Sequence, residues 1–413
     1  MITKVMPFLE VSICNVCGGK DISPVCDILE FPLLLRPLPH AAIAHFKNGA
    51  MPDTMPLRVG ICRTCGHMIL LLRPPYEILL RLYEDFYGTY LSKLELGFAT
   101  EDADEFVDLF IKYLRKELPE SARVFEIGCY DGYVLSRLQE YSVEVLGCDP
   151  SDGARIGQRK AIPIIHDFYS PDKFTSSHFD VVMNRHLIEH IDSPVDFVAS
   201  FRKILRDSGF IMIETPNGAY HLQHSQLDPF HLEHLSVFTP ASLTLCLWKA
   251  GFRIERIFSE SRNLIAICKA GVEAEQPPLR TSEVEALVVQ AVAFGGRFKE
   301  YLSQLDSLIE EITSQGSTVS VWGAGSFGIS ILALSKTLRK CAVAIVDRDP
   351  RKHGLSFFNV DLEIRPPEYL IQNPVDYIVV CSQYGAEIVR DIRERFNLDS
   401  ALVMMSPKIE VIR

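Results

Sequence analysis

The sequence has 413 residues, a formal net charge of −11 and a hydrophobic fraction of 47%. This length is typical of two or three domains, and this apolar fraction is enough to build their cores, which excludes wholesale disorder. With 53 acidic against 42 basic side chains, an extended nucleic-acid-binding face is not expected. No apolar run approaches the roughly 18–20 residues that span a bilayer, and the first residues lack the pattern of a signal peptide. We therefore expect a cytoplasmic protein with neither a membrane nor a nucleic-acid partner.

Two CxxC motifs lie near the N-terminus, CNVC at Cys14–Cys17 and CRTC at Cys62–Cys65, and a glycine directly follows each. Glycine lets the chain turn back, so that backbone amides point at the sulfur atoms. The four thiolates of Cys14, Cys17, Cys62 and Cys65 match the tetrahedral ligand set of a structural zinc ion, Zn²⁺. Such a site has no open coordination position for catalysis. The alternatives are a redox-active pair or unrelated free thiols.

Strand-length apolar runs alternate with helix-length stretches in two separate blocks of the chain. This alternation is typical of parallel strands joined by crossover helices. We predict an α/β protein in which a small zinc-binding N-terminal module is followed by two Rossmann-like, doubly wound domains. The predicted parts are the zinc module (1–75), a helical connector (76–118), the first α/β domain (119–272), a second helical connector (273–315) and the second α/β domain (316–413).

The segment VFEIGCYDGY contains the first of two glycine turns. The predicted strand ends around Glu126, Gly128 lets a bulky ligand approach the backbone, and Asp131 and Gly132 open the next helix. Two carboxylates in this turn repel a pyrophosphate but attract a positively charged ammonium or sulfonium group. The charge therefore favours S-adenosylmethionine (SAM) over a dinucleotide as the cofactor at this turn.

Later strand ends in the same block add candidate contacts to this ligand. Asp149, in GCDPS, is placed to accept hydrogen bonds from both ribose hydroxyls. In HDFY, Asp167 is placed to receive the adenine amino group and Phe168 to cover the ring, and Asn184 in MNRH lies beside the amino-acid end. Each residue alone fits an ordinary turn or core position, but together they predict a SAM site. The sequence over about 120–270 resembles class I SAM-dependent methyltransferases.

The second glycine turn, VWGAGSFG, places Gly323, Gly325 and Gly328 at the GxGxxG spacing of dinucleotide-binding domains. Asp347 follows at the next strand end, where a residue that binds the NAD ribose belongs. A lone GxGxxG is weak evidence, because the same glycines also suit phosphate binding at a helix N-terminus or close strand–helix packing. Dinucleotide binding, contact with a nucleotide-linked sugar and pure packing all stay open.

The order of the modules extends the resemblance beyond the methyltransferase core. A double-CxxC module, a methyltransferase domain and a C-terminal half with VWGAGSFG and VDRDPRKHG resemble, over nearly the full length, the nucleotide-linked (dTDP-type) 4-ketosugar C-3-methyltransferases of deoxysugar biosynthesis. The resemblance implies SAM as the methyl donor, a structural zinc ion and a nucleotide-linked sugar as the substrate. It also implies that the C-terminal Rossmann-like domain anchors the substrate and carries no redox cofactor.

Methylation of carbon next to a ketone requires removal of a proton and stabilisation of the enolate oxygen. The Glu-His pair of the family matches Glu233 and His234 in DPFHLEHLSVFTP. The resemblance implies that His234 is the base, that Glu233 orients an imidazole or holds a sugar hydroxyl, and that His190 polarises the ketone. Packing or surface roles fit the two histidines nearly as well. The chain departs from the family at His231, where an aromatic hydroxyl is common.

The tyrosine-rich segment LYEDFYGTY is expected to supply hydrogen-bond donors to the enolate, and Tyr87 and Tyr90 are the candidates, whereas Tyr83 suits the core. Three alternative functions remain. The first is a sugar O-methyltransferase of the same fold, and the second is an NAD(P)-dependent sugar oxidoreductase that uses residues 323–328. The third is a non-enzymatic zinc scaffold or RNA-binding module, which the acidic balance disfavours.

Overall fold

The computed structural model divides the chain into two compact units. The first comprises Met1–Ser23, Gly60–Tyr220 and Glu233–Val289, and the second comprises Pro24–Val59, His221–Leu232 and Gln290–Arg413. The residues that the structure describes are 8–48, 51–86, 92–96, 100–174, 179–227, 229–271, 279, 281–358, 360–382, 385–405 and 408–413.

The N-terminal part is built mainly of strands: β1 (Leu9–Glu10), β2 (Ile22–Pro32), helix α1 (His40–Asn48), β3 (Thr54–Cys62), β4 (Met68–Leu70) and β5 (Leu72–Arg73). The chain passes from one unit to the other inside β2, after Ser23, and inside β3, after Val59. The stretch 1–75, predicted as one zinc module, is therefore divided between both units. Neither strand is interrupted by a turn or a polar linker. The amino-acid composition of this stretch therefore does not indicate where one unit ends and the other begins.

In the stretch predicted as a helical connector, the described residues form the α-helices α2 (Tyr76–Phe86), α3 (Lys93–Leu96) and α4 (Glu101–Tyr113). Helix α4 buries Ala103, Phe106, Val107 and Phe110, which is the i, i+3, i+4, i+7 spacing of one helix face. Its first turn is acidic, which suits the positive end of the helix dipole.

The first α/β block forms a seven-stranded sheet. Its strands are β6 (Arg123–Ile127), β7 (Glu144–Cys148), β8 (Ile164–Ile165), β9 (Phe179–Arg185), β10 (Leu205–Pro216), β12 (Phe252–Phe258) and β13 (Asn263–Ala270), while β11 (Ser236–Val237) pairs with β4. The helices are α5 (Tyr133–Gln139), α6 (Gly153–Arg159), α7 (Pro194–Ser200), α8 (Gly218–Gln223) and α9 (Pro240–Lys249).

The strand order is β12-β13-β10-β9-β6-β7-β8. Strands β8, β7, β6, β9 and β10 are parallel, and β13 runs antiparallel to both β10 and β12. The chain leaves β6 toward β7 and β8 and then returns on the other side of β6 as β9. This reversal makes the carboxyl ends of β6 and β9 the topological switch point, where open α/β sheets bind their ligands.

Alternate residues of β6 enter two different cores, because successive side chains of a strand point to opposite faces. Val124 packs in the cluster that contains Leu135 of α5. Phe125 packs in the other cluster, where it stacks on Phe179 with 4.8 Å between ring centroids. Cys62 and Cys65 belong to this second cluster, so the CxxC residues share a core with the sheet.

Helix α10 (Thr281–Ser314) covers most of the predicted second connector. Its C-terminal part belongs to the second unit, where Leu305, Ile309 and Ile312 are buried in the core of the second sheet. The strands there are β14 (Val319–Trp322), β15 (Ala342–Val346), β16 (Ser356–Phe357), β17 (Val360–Arg365), β18 (Tyr377–Val380), β19 (Ala401–Met404) and β20 (Glu410–Ile412). The helices are α11 (Ser326–Leu334), α12 (Lys336–Cys341), α13 (Tyr369–Gln372) and α14 (Gly385–Arg390).

The second sheet has the order β16-β17-β15-β14-β18-β19-β20, with β17, β15, β14, β18 and β19 parallel. In this sheet too, the chain first adds strands on one side of β14, as β15, β16 and β17. It then returns to the other side of β14 as β18. The predicted α/β class is confirmed, and each of the two blocks contains a Rossmann-like sheet with a parallel core. No helix in the described parts of the chain combines the length and the apolar composition needed to cross a bilayer.

Candidate functional site

The four CxxC sulfur atoms form one cluster in the first unit. All four Sγ atoms lie within 4.8 Å of one another, with 3.7 Å between Cys14 and Cys65 and 3.5 Å between Cys17 and Cys62. Zinc–sulfur bonds of about 2.3 Å place tetrahedral sulfurs about 3.8 Å apart, whereas a disulfide needs about 2.05 Å. The geometry therefore fits a structural zinc ion and not a disulfide.

The turn after the first CxxC motif presents backbone amides to the sulfur atoms. The Cys17 amide donates to Cys14 Sγ at 3.5 Å, and the Gly19 amide donates to Cys17 Sγ at 3.2 Å. Gly18 and Gly66 both have positive φ angles, +80° and +71°, which glycine adopts without steric cost. Such N–H···S contacts stabilise thiolates as metal ligands.

At the switch point, the turn after β6 is tightly built. Gly128 has a φ of +75°, and a Cβ atom there would lie 3.0 Å from Cδ2 of Leu187. Tyr130 is also left-handed, with a φ of +48°, and its amide donates to Oδ2 of Asp149 at 2.8 Å. The turn therefore brings the end of β6 and the end of β7 together.

Two buried acceptor atoms at the ends of β6 and β9 have no hydrogen-bond partner among the described residues, Oε2 of Glu126 and Oδ1 of Asn184. The two side chains are 3% and 0% exposed, and Ile127 pairs directly with Asn184 across the strands. Burying unpaired acceptors is costly, so their presence at a switch point is the mark of a ligand site. Ammonium and hydroxyl groups of SAM would satisfy them.

Burial raises the pKa of the Glu126 carboxyl to about 8. Glu126 is therefore mostly protonated at neutral pH in the ligand-free protein. This corrects the sequence argument, which assigned a full negative charge to both acidic residues of the turn. A cationic ligand restores that charge by favouring the ionised form.

Asp131 and Gly132 organise the turn itself. The Asp131 carboxylate is 2% exposed and accepts hydrogen bonds from Ser92 Oγ at 2.8 Å, from the Leu94 amide at 3.0 Å and from the Tyr133 amide at 3.0 Å. Gly132 is the N-cap residue that precedes α5, and its φ is +76°. Asp131 thus ties the start of α5 to the segment around α3, a local role that its sequence position did not indicate.

Asp149 lies at the end of β7, where its ribose-binding role was predicted. Its Oδ1 accepts from the Ser151 amide at 2.8 Å and from Ser151 Oγ at 2.5 Å, and its Oδ2 accepts from Tyr130. Carboxylates accept up to about four hydrogen bonds. Three hydrogen bonds therefore pre-orient the carboxylate, which can accept about one more from a ligand, or about two if Ser151 Oγ rotates away.

Asp167 and Phe168 of the HDFY turn are both exposed, and Phe168 is 59% exposed. Asp167 is ion-paired with Lys173 and accepts from the Phe168 amide at 2.7 Å. Lys173 lowers the pKa of Asp167, so this carboxylate is already neutralised by a neighbour.

A charged network lies at the end of β9 and β10. Arg185 Nε donates to Glu214 Oε2 at 2.5 Å, and Asn263 Nδ2 donates to Glu214 Oε1 at 2.8 Å. His186 lies between Glu214 and Glu189, at 3.6 Å and 3.5 Å. Although burial opposes it, Glu214 together with Glu189 raises the pKa of His186 to about 9. The two buried carboxylates therefore favour the cationic form of His186, whose side chain is 41% exposed.

Beside this network, the two Glu-His dipeptides of the sequence meet. Nδ1 of His190 donates to the Glu233 carbonyl oxygen at 3.0 Å, and the His190 and His234 rings are nearly perpendicular with 4.8 Å between centroids. The carboxylate of Glu189 joins them, and the three ligand-capable atoms of Glu189, His190 and His234 lie within 4.8 Å of one another. We call these three residues the Glu189 cluster.

The structure thus brings His190 and His234 together, as their shared predicted role requires. Tyr87 and Tyr90 lie outside the described residues. Sequence reasoning missed Glu189, whose side chain is 1% exposed, and the pairing of Arg185, His186 and Glu214. The signal that was available is the repeated Glu-His dipeptide, at 189–190 and again at 233–234.

The second glycine turn is closely packed. A Cβ atom on Gly323 would lie 2.4 Å from the Cys381 carbonyl oxygen, and one on Gly328 would lie 2.1 Å from the Gly323 carbonyl oxygen. Gly325, by contrast, has no atom within 4 Å of its Cβ position among the described residues. Close approach of β14, α11 and β18 therefore accounts for two of the three glycines.

The carboxylate of Asp347, expected to bind ribose if a dinucleotide were present, is occupied. Its Oδ2 accepts from the Ala324 amide at 2.7 Å and from Lys352 Nζ at 2.9 Å, and its Oδ1 accepts from the Asp349 amide at 2.9 Å. These contacts hold the turn together and leave the carboxylate with a cationic partner, an arrangement that disfavours NAD binding.

The strand order and the antiparallel strand beside β10 describe a Rossmann-like sheet, and the unpaired acceptors mark a candidate ligand site at its switch point. Two family models match the chain: residues 99–257 match a model described as a methyltransferase domain, and residues 281–407 match one described as a C-methyltransferase C-terminal domain. The two matched regions follow one another along the chain, and each covers less than half of it.

Curated relatives match the methyltransferase domain only in part. A probable SAM-dependent methyltransferase of Mycolicibacterium smegmatis is 30% identical over 32% of this chain and 52% of that protein. One of Mycobacterium tuberculosis is 28% identical over 31% and 48%, and a ubiquinone biosynthesis O-methyltransferase of Rhizobium etli is 29% identical over 24% and 42%. The chain thus spans about half the length of the curated relatives it matches.

Proposed function

We propose that this chain transfers the methyl group of SAM to C-3 of a nucleotide-linked 4-keto-deoxysugar. The observation that carries the proposal is the succession of a methyltransferase domain and a C-methyltransferase C-terminal domain in one chain. The ketosugar substrate and the C-3 position rest on the resemblance of the module order, from the CxxC motifs to VDRDPRKHG.

The methyl donor is proposed to lie across the carboxyl ends of β7, β6 and β9. The unpaired acceptors of Glu126 and Asn184 suit the amino-acid and sulfonium end, and Asp149 is placed for the ribose. Phe168, exposed at the next turn, suits the adenine ring. Asp167 is a weaker candidate for the adenine amino group, because Lys173 already pairs with it.

The acceptor chemistry is proposed for the edge that carries Glu233, His234 and His190. The C-3–H bond breaks and its proton passes to the imidazole of His234, while the electron pair delocalises onto the C-4 oxygen. The enolate carbon then bonds to the methyl group as the S–CH₃ bond breaks, and S-adenosylhomocysteine leaves. His190 is proposed to lie on the side of the C-4 oxygen, whose developing charge must be stabilised.

The CxxC cluster is proposed to hold a structural zinc ion. Its four sulfurs already have near-tetrahedral spacing, and Cys14, Cys62 and Cys65 are almost fully buried. A closed four-thiolate site offers no position for a substrate. The ion would therefore stabilise the first unit and take no part in methyl transfer.

The test is product analysis by NMR after incubation with ¹³C-methyl-labelled SAM and a nucleotide-linked 4-ketosugar. We expect a new methyl group on C-3. His234→Ala should lower the rate by about 10²–10⁴-fold, the range for loss of a group that moves a proton, whereas exposed His45→Ala should not change it. A methyl group on oxygen would favour the O-methyltransferase alternative, and thermal stabilisation by NADH but not by SAM would refute the proposal.

A further inference from the structure

A groove with a volume of about 520 Å³ lies on the sheet of the first unit. This volume falls within the roughly 300–1,000 Å³ of small-ligand sites. The end of α4, the turn after it and strands β10, β13 and β12 form its walls. Two acidic and five basic side chains line this groove, which we call the cationic groove, and the basic ones are Lys112, Lys116, Arg253, Arg256 and Lys269.

The register of the strands places basic side chains on one face of the sheet. Lys269 pairs with Phe210 of β10 on one side and with Arg253 of β12 on the other, and directly paired residues point to the same face. In a regular strand, Arg256 would point to the face opposite Arg253, because the two are three residues apart. A register shift in β12 instead pairs Arg256 with Ile267, two residues before Lys269. This irregularity therefore turns both arginines toward the groove, as β-bulges commonly do beside functional sites.

Aromatic rings orient three of these cations. The ring centroid of Tyr113 lies 4.6 Å from Cζ of Arg256 and 5.1 Å from Nζ of Lys112. The ring centroid of Phe210 lies 5.1 Å from Nζ of Lys269. A ring attracts a cation without neutralising its charge, so the charge stays available to a ligand.

Only one of the five basic side chains is ion-paired within the described parts of the chain. Nη2 of Arg253 lies 2.5 Å from Oε1 of Glu255. Lys112, Lys116, Arg256 and Lys269 form no such pair with a described residue, whereas many other basic side chains of this acidic chain do. Like charges held close together repel one another, and a bound anion would relieve this repulsion.

We propose that the cationic groove binds an anion with two linked phosphate groups, a diphosphate. One phosphate group carries roughly −1.5 to −2 charges near pH 7. A diphosphate with about three charges would balance the excess of five basic over two acidic side chains. Arginine binds phosphate through its planar fork and lysine as a point charge. A long polyanion such as nucleic acid is disfavoured, because the chain as a whole has a net charge of −11 and would repel the parts outside the groove.

The cationic groove lies apart from the edge where methyl transfer is proposed. Phe210 is in the first half of β10 (Leu205–Pro216), so the groove is toward the amino ends of the parallel strands. SAM and the acceptor are proposed to bind at the carboxyl ends. The diphosphate site therefore does not depend on the identity of the methyl acceptor. Inorganic diphosphate and a nucleoside diphosphate share the required chemistry.

The test is calorimetric titration of the full-length chain at low salt with inorganic diphosphate, thymidine diphosphate and sulfate. We expect both diphosphates to bind and to slow amide exchange in peptides from α4 and β12. Arg256→Gln and Lys269→Gln should each weaken this binding about 10-fold or more, as expected for loss of a charged hydrogen-bond donor, with SAM affinity unchanged. Lys160→Gln, which removes an exposed lysine after α6, is the matched control and should bind like the wild type.

Tighter binding of thymidine diphosphate than of inorganic diphosphate, with the same sensitivity to both variants, would identify a nucleotide as the ligand. Equal affinities would show that the diphosphate group is sufficient. Three results would overturn the site: no binding of inorganic diphosphate, equal binding by the wild type and both variants, or sulfate binding as tight as that of diphosphate. Should one variant fail to fold, the other decides. Each of these results leaves the proposed methyl transfer intact, because that reaction is assayed separately.

Discussion

At the scale of single residues, the negative charge of Glu126 is unfavourable in the ligand-free protein, and a cationic ligand would stabilise it. Its carboxyl is buried at the end of β6 with Oε2 unpaired among the described residues, and burial raises its pKa to about 8. The unfolded chain holds the same group near 4.5. Folding therefore takes up a proton at neutral pH, and binding of a cationic donor would release it.

This shift makes the stability of the ligand-free protein fall with rising pH. Between about 4.5 and 8 the folded state retains a proton that the unfolded state has lost, so the free energy of unfolding decreases through this window. Glu126→Gln has no proton to lose. We expect the variant to be more stable than the wild type at pH 8.5, on the order of a few kcal/mol, and nearly equal at pH 4.5, as measured by urea unfolding.

The same substitution should weaken SAM binding. The glutamine amide cannot supply the negative charge that the sulfonium or ammonium group favours, and the wild-type affinity should rise with pH as Glu126 ionises. Calorimetry at pH 6 and pH 8.5 measures both effects. Glu144→Gln, an exposed position on neighbouring β7, is the control for stability and binding. A Glu126→Gln protein that binds SAM with unchanged affinity at both pH values would contradict this account of the site.

Residue types at strand ends were predictable, but their ionisation was not. Glu126, Asp149 and Asn184 follow apolar runs, so their place at the sheet edge was expected from the pattern alone. The proton on Glu126 and the pairing of Asp167 with Lys173 depend on which side chains pack around them. These neighbours come from other strands and turns, and no local pattern specifies them.

At the scale of elements, alternation of apolar runs and helical stretches was sufficient to predict both sheets. It was not sufficient to assign the second glycine turn, because GxGxxG satisfies phosphate binding and tight packing equally well. In the structure, the glycines of the motif differ in how much space a Cβ atom would have. Gly328 faces the Gly323 carbonyl at 2.1 Å from a Cβ position, whereas Gly325 faces none of the described atoms within 4 Å.

We therefore expect Gly328→Ala to destabilise the C-terminal Rossmann-like domain by about 1–3 kcal/mol or more, the usual cost of overpacking. Gly325→Ala, whose φ of −91° suits any residue, should cost much less. Hydrogen exchange with mass spectrometry, read in peptides from β14 and β18, measures the local effect. If Gly325→Ala loosened these strands as much as Gly328→Ala, packing would not explain the motif.

At the scale of the whole molecule, the two units are not consecutive along the chain. Strands β2 and β3 and helix α10 each continue from one unit into the other. Boundaries inferred from composition assume that a linker separates domains, and an unbroken strand or helix offers none. This is why the sequence pattern predicted both sheets but gave no sign that β2, β3 and α10 continue from one unit into the other.

Because the CxxC residues belong to the first unit, removal of the proposed zinc ion should affect more than the cysteine turns. Cys14, Cys62 and Cys65 lie in the same core cluster as Phe125 of β6, so loss of the proposed ion should also loosen the sheet that contains β6. Cys62→Ser removes one of four ligands. We expect it to lose zinc and to show faster amide exchange in β6 and β9 than the wild type.

The C-terminal Rossmann-like domain provides the internal reference for this experiment. Its core cluster contains residues of α10 and β14 but none of the four CxxC cysteines, so exchange in β14 and β18 should change much less. Cys341→Ser, a half-buried cysteine of α12, is the matched control and should keep one zinc per chain. Retention of zinc by Cys62→Ser, or normal exchange in β6 after zinc loss, would show that the ion does not support the sheet. Faster exchange in β6 and β14 alike would instead mean that the two sheets unfold together when the zinc is lost.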